Sequence, residues 1–160
     1  GGGGVLRLST EDAFTVVRLA PVPSIDLVIK DHAGLFLVGL RTNRPAAGQW
    51  FVPGGRIQKE ETFAAAFSRL CRDELSTEVT IDCARFLGAF EHFYDDNFLS
   101  VPGITTHYIA LAYAIDLDLS IESLPRDQHI DYKWLEESAL LTDSTVHENT
   151  KMYVKLMVAG

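Results

Sequence analysis

Residues 63 to 75 constrain this chain more than any other stretch. Phe63, Phe67 and Leu70 recur at i, i+4 and i+7, and Thr62 stands where an N-cap belongs, so the spacing predicts a helix. Projected at about 100° per residue, Glu74 falls within roughly 20° of Phe63 and Phe67. A carboxylate on a buried stripe is costly unless a cation or hydrogen-bond donors meet it. The alternative is that the stripe ends at the last turn and Glu74 reaches solvent. Arg69 and Asp73 are spaced i, i+4 and read as a surface pair.

Around this helix the chain punctuates itself. Ile25 to Lys30 reads as a strand, turn residues Asp31 to Gly34 follow, and Leu35 to Leu40 is a second apolar run, which predicts a hairpin. Arg41 to Gln49 is a loop, and Trp50-Phe51-Val52 leads into Pro53 and the pair Gly54-Gly55. Ala84 to Tyr94 and Thr105 to Asp116 are strand candidates. In the second, Tyr108, Ala110, Ala112 and Ala114 share one face, and His107, Ile109, Leu111, Tyr113 and Ile115 share the other. Tyr132 to Leu135 is a short strand, and Val146 to Val158 a closing helix. The mixture lacks a βαβ rhythm and predicts a mixed sheet flanked by helices, α/β or α+β.

With 160 residues there is room for one core. Gly1 to Gly4 stands in place of a Met start and reads as a cloning remnant, which leaves residues 5–160 as a single domain. No apolar run is long enough to span a bilayer, and no leader is visible. Cys71 and Cys83 have no metal-like spacing, so free thiols in a reducing cytoplasm are expected. A net charge of −8 without a basic stripe argues against a nucleic-acid backbone as partner. An anionic substrate would then need a metal ion and a few local arginines to offset the overall repulsion.

Gly55, five residues, Glu61, seven residues, Arg69, then Asp73-Glu74 resembles the Nudix box, G-x5-E-x7-R-E-U-x-E-E-x-G-U. Leu70 stands where the pattern has Glu, Cys71 where it has a larger apolar residue, and Ser76 where it has Gly. The resemblance implies a loop-helix-loop metal site on a mixed β-sandwich. Leu70 joins the apolar stripe, which suggests one magnesium per subunit and a base from elsewhere in the chain.

Further segments are similar to the GDP-mannose mannosyl hydrolases, an atypical Nudix family that also carries an apolar residue at the Leu70 position. They are residues 41–45, 50–56, 91–98, 105–108 and Gln128-His129. The resemblance implies magnesium, with manganese able to substitute, on Glu74, Gln128 and the Gly54 carbonyl, and His129 as general base. It also implies that Arg41, Arg56 and Tyr108 bind the departing diphosphate, and that Asp26 and His92 lie near the sugar. Arg69 and Glu61 would orient the box carboxylates from behind.

The expected reaction is water attack at the anomeric carbon of GDP-mannose, or another GDP-hexose, with inversion. The rivals are cleavage between the phosphates and a sensor that binds a nucleotide sugar without turnover. The resemblance also implies a homodimer. Taken residue by residue, Arg41 and Arg56 also fit as solvated loop charges, Tyr108 as strand packing, and Asp26 as the polar face of an edge strand. Phe93, Tyr94 and Phe98 suit base stacking, a subunit contact or the core.

Overall fold

The computed structural model describes residues 8–126 and 129–159. It opens with α1 (Thr10–Leu19), capped by the Ser9 hydroxyl, which accepts the Asp12 N–H at 3.1 Å. Sequence patterning does not predict this helix. Thr15, Val16 and Val17 are consecutive β-branched residues, and the helix only half-buries its apolar face, at Ala13, Phe14, Val16 and Val17.

The chain continues through β1 (Val22–Lys30), β2 (Phe36–Arg41), β3 (Trp50–Phe51) and β4 (Gly54–Arg56) into α2 (Phe63–Leu75). After α2 come β5 (Arg85–Tyr94), β6 (Thr106–Asp116) and β7 (His129–Leu135), then α3 (Glu137–Thr142) and α4 (Glu148–Ala159). The expected strands and helices are all present. The short strand reaches back three residues to His129, and the last helix starts at Glu148 because Val146 bridges Trp50 in β3.

The sheet runs β3-β2-β1-β6-β5, with β4 also paired to β1 and β7 to β2. Among the described strands only β1 and β6 pair in parallel, in register from Val22–Tyr108 to Lys30–Asp116. The hairpin strands β1 and β2 pair at Lys30–Phe36 and then diverge. Beyond that point β1 takes β4 as its neighbour, and β2 takes β7 and β3. The mouth of this divergence gathers residues from seven strands.

Both faces of the sheet are covered. Ile25, Leu27 and Ile29 of β1 pack with Phe67, Leu70 and Leu75 of α2, joined by Tyr113 and Ile115 of β6. On the other face Val28, Val38 and Ala112 meet Leu140 of α3 and Tyr153 and Val154 of α4. Full burial of a side chain such as Phe67 or Leu27 contributes about 1.5–3 kcal/mol, and these two layers hold α2 and α4 against opposite sides. Among the described residues no helix is long and apolar enough to cross a membrane.

Candidate functional site

The loop into α2 is held by one arginine. Arg69 donates from Nε to Glu61 Oε2 at 2.7 Å and from Nη2 to Glu61 Oε1 at 2.9 Å, a two-pronged pair almost closed to solvent. The same Nη2 donates to the Arg56 carbonyl at 2.9 Å. Glu61 Oε1 also accepts the Gln58 N–H at 2.7 Å, and the Thr62 hydroxyl caps the helix by accepting the Ala65 N–H at 3.1 Å. Arg69 therefore pins the strand that presents Arg56. Its contact with Asp73, at 3.5 Å, is the lesser one, so the surface-pair reading understates its role.

The two glycines ahead of the loop are required by space. A Cβ on Gly54 would press on the Ile25 carbonyl and lie 2.8 Å from Asp26 Oδ1, and one on Gly55 would lie 2.6 Å from Leu70 Cδ2. Leu70 is part of the core packed beneath β4. Where the box pattern has a carboxylate, this chain has a methyl group against Gly55.

Glu74 is only 5% exposed, which overturns the reading in which it escapes to solvent. Phe63, by contrast, is 56% exposed, so the stripe begins at Ala66 and Phe67. Glu74 Oε2 lies 4.0 Å from Nε2 of His129. The His129 ring rests on Gly39 of β2, where an added Cβ would stand 2.6 Å from Nδ1.

His129 lines a cavity of about 360 Å³ together with Asp26, Arg41, Gly54, Arg56, His92 and Tyr108. Seven of the residues singled out in the sequence thus share one wall system. Glu74 does not line the cavity but stands 4.0 Å from His129 Nε2, and Glu61 and Arg69 support the strand that carries Arg56. Gln128 is outside the described residues. The edge-strand reading of Asp26 fails, because β1 lies between β2 and β6.

The electrostatics suit an anion. Arg41, Arg44 and Arg56 all line the cavity, against the −8 of the whole chain. The Nε atoms of Arg41 and Arg56 are buried and have no hydrogen-bond partner among the described residues. Donors left so are costly, and a ligand oxygen would satisfy them.

Burial lowers the His129 pKa to about 4, with the Arg41 charge adding to the effect, so the imidazole is neutral at physiological pH. Burial likewise holds His92 at about 4. Burial raises the Asp26 carboxyl to about 6, against the opposing pull of the Tyr153 hydrogen bond and Arg41. The Tyr108 phenol is pushed up by burial, with Arg41, Asp26 and Arg56 all close enough to act on it.

Of the aromatic residues left open between stacking, subunit contact and core, Tyr94 and Phe98 line the cavity, whereas Ala13, Val17, Asn43 and Arg44 carried no assigned role. Tyr94 is two residues from His92 on β5 and shares its face, so strand alternation brings both to the cavity; its hydroxyl accepts from Asn149 Nδ2 at 3.0 Å. Phe98 also lines the cavity, whereas Phe93 is 68% exposed and stacks on His107 with ring centroids 4.3 Å apart. Ala13 and Val17 come from α1, which gave no sequence signal. Asn43 and Arg44 come from the loop after β2.

No group of three or more His, Cys, Asp or Glu able to hold a metal occurs among the described residues. The donors at hand are the Glu74 carboxylate and the peptide oxygens around Gly54. That set fits a hard divalent cation that keeps water and substrate oxygens in most of its positions.

A protein-family profile described as NUDIX domain matches residues 20–156. The chain belongs to the NUDIX family. Its Nudix helix is α2, and the departures at Leu70 and Ser76 lie on that helix and its cap. A curated relative, the low-salt glycan biosynthesis protein Agl8 of Haloferax volcanii, is 44% identical over 113 residues, covering 70% of this chain and 69% of its own. Among solved structures, the MutT protein of Methanosarcina mazei Go1 is 18% identical with a TM-score of 0.65, over 87% of this chain and 94% of that one. The NUDIX domain of Shewanella oneidensis NrtR, solved with ADP ribose, is 14% identical with a TM-score of 0.63, over 95% and 98% of the two chains. These two share the fold of the Nudix chain described here.

Proposed function

We propose that this Nudix chain hydrolyses a nucleotide sugar, with GDP-mannose the first candidate, to a nucleoside diphosphate and the free hexose. The observation that carries this reading is the buried imidazole of His129 in one cavity with Arg41 and Arg56, whose Nε atoms have no partner among the described residues, while Leu70 removes a box carboxylate. The glycan-biosynthesis name of the Haloferax relative supports a sugar-linked substrate.

Glu74, Gln128 and the Gly54 carbonyl would hold magnesium, which when bound neutralises diphosphate charge and makes the nucleotide a better leaving group. Arg41 and Arg56 supply Nε–H donors to diphosphate oxygens, and Tyr108 adds a phenol. His129 accepts a proton at Nε2 from water as the water oxygen bonds to the anomeric carbon. The glycosidic C–O electrons leave with the diphosphate. Glu74, 4.0 Å away, offsets the imidazolium that forms. Asp26 and His92 orient the hexose. A single displacement inverts the anomeric centre.

Incubation with GDP-mannose and magnesium in ¹⁸O-labelled water tests the reading. Label in the mannose, with GDP as the other product, is expected. Label in a phosphate, with GMP and mannose 1-phosphate formed, would overturn it in favour of pyrophosphate cleavage. Binding without product would leave only a sensor.

A further inference from the structure

Tyr153 of α4 has no part in the roles assigned above. It is 1% exposed, and its ring is set edge-on to Phe90 at 5.2 Å between centroids. Its hydroxyl lies 2.6 Å from Asp26 Oδ2 and 3.3 Å from His92 Nε2. Both partners line the cavity. One phenol therefore touches both groups placed near the sugar.

A hydroxyl has one proton to give. The contact with Asp26 has the length of a charge-assisted O–H···O⁻ bond, so the proton points at Asp26. The phenol oxygen can then only accept from His92. That requires hydrogen on Nε2 and leaves Nδ1 as the ring's lone-pair acceptor.

We propose that Tyr153 is a positioning residue that fixes His92 in its Nε2–H tautomer and holds Asp26 and His92 at one separation. This rests on the reading of the site as a nucleotide-sugar hydrolase. The substrate would meet a carboxylate and an imidazole acceptor, a pair suited to two hydroxyl donors of the hexose. The packed ring cannot swing away, so the pair is preorganised.

Histidine-labelled ¹H–¹⁵N spectra at neutral pH read the tautomer without substrate. Wild-type protein is expected to show His92 as Nε2–H. In Tyr153→Phe the tautomers should mix and kcat should fall about 10- to 100-fold, the loss of one hydrogen bond to a charged group. Inhibition by GDP, which lacks the sugar, should stay unchanged. A wild-type His92 protonated at Nδ1 would overturn the proposal, and so would a variant with unaltered tautomer and kcat. If Tyr153→Phe failed to fold, the wild-type spectrum would still decide. Absence of turnover in the wild type would sink the hydrolase reading and leave the spectra to judge Tyr153.

Discussion

The position of His129 depends on an atom that is missing. Gly39 lies in the middle of β2, where glycine weakens a strand and signals a close approach. That approach is the imidazole, since a Cβ at residue 39 would sit 2.6 Å from His129 Nδ1, closer than real Cβ atoms come. Gly39→Ala should leave the fold intact and push the ring aside. A displacement of about 1 Å at a catalytic group costs on the order of 100-fold in rate, and that loss in kcat is expected for GDP-mannose. His129→Gln, which fits the same space, should lose about 10²–10⁴-fold in kcat while still binding magnesium. Stopped assays with products resolved by chromatography check both, and an unchanged rate in His129→Gln would remove the residue from the reaction. Neither the glycine's purpose nor the choice of His129 among five histidines is legible in the sequence pattern alone. A glycine inside a strand announces contact without saying with what.

Among the elements, α2 shows what a local pattern can and cannot reveal. Its cap at Thr62 and its end at Leu75 follow from the residues, because capping and periodicity are short-range. Its end also carries a cost. Ser76 takes the left-handed conformation at φ 52°, ψ 36°, with its N–H on the Arg72 carbonyl at 3.0 Å. Glycine adopts that conformation without a Cβ penalty, which is the physical reason the box pattern has glycine there. Ser76→Gly should stabilise the protein by about 0.5–1 kcal/mol, a rise in Tm of roughly 1–4 °C, without changing activity. Thermal denaturation followed by circular dichroism measures it, and a fall in Tm would mean the serine side chain has a use the backbone does not show. Other elements were less legible. Helix α1 half-buries only Ala13, Phe14, Val16 and Val17, and its run of β-branched residues masks that stripe, while the exposure of Phe63 depends on tertiary packing that spacing does not encode. Tyr153 falls within the expected closing helix, but its partners are 127 and 61 residues away in the chain. Such links follow from the sheet order, which local spacing does not encode.

For the whole molecule, the cavity concentrates groups that resist ionisation, and this sets how stability responds to acid. His92 and His129 are held at about 4 by burial, and His147 is lowered for the same reason. Their folded pKa values lie below the unfolded value near 6.5, so as pH falls the unfolded chain takes up protons first. Their contribution is complete above about pH 6.5 and is lost as pH drops towards 4. Asp26 acts in the opposite sense. Its folded pKa of about 6 exceeds the model-peptide value of 3.8, so the folded state binds that proton first, and its contribution grows as pH falls through the same window. Two strongly depressed imidazoles against one carboxyl leave a net loss, so Tm should fall steadily between pH 7 and pH 4.5. Asp26→Asn removes the opposing group. The variant should be more stable than wild type at pH 7.5, where the wild type holds a buried carboxylate, and should lose that advantage by pH 4.5, where Asp26 is protonated. Thermal melts of both proteins across this range test the argument. A wild-type Tm that stays level or rises on acidification would show that the histidines are not shielded as the cavity implies, and a constant gap between the two proteins would show that Asp26 does not titrate in the window.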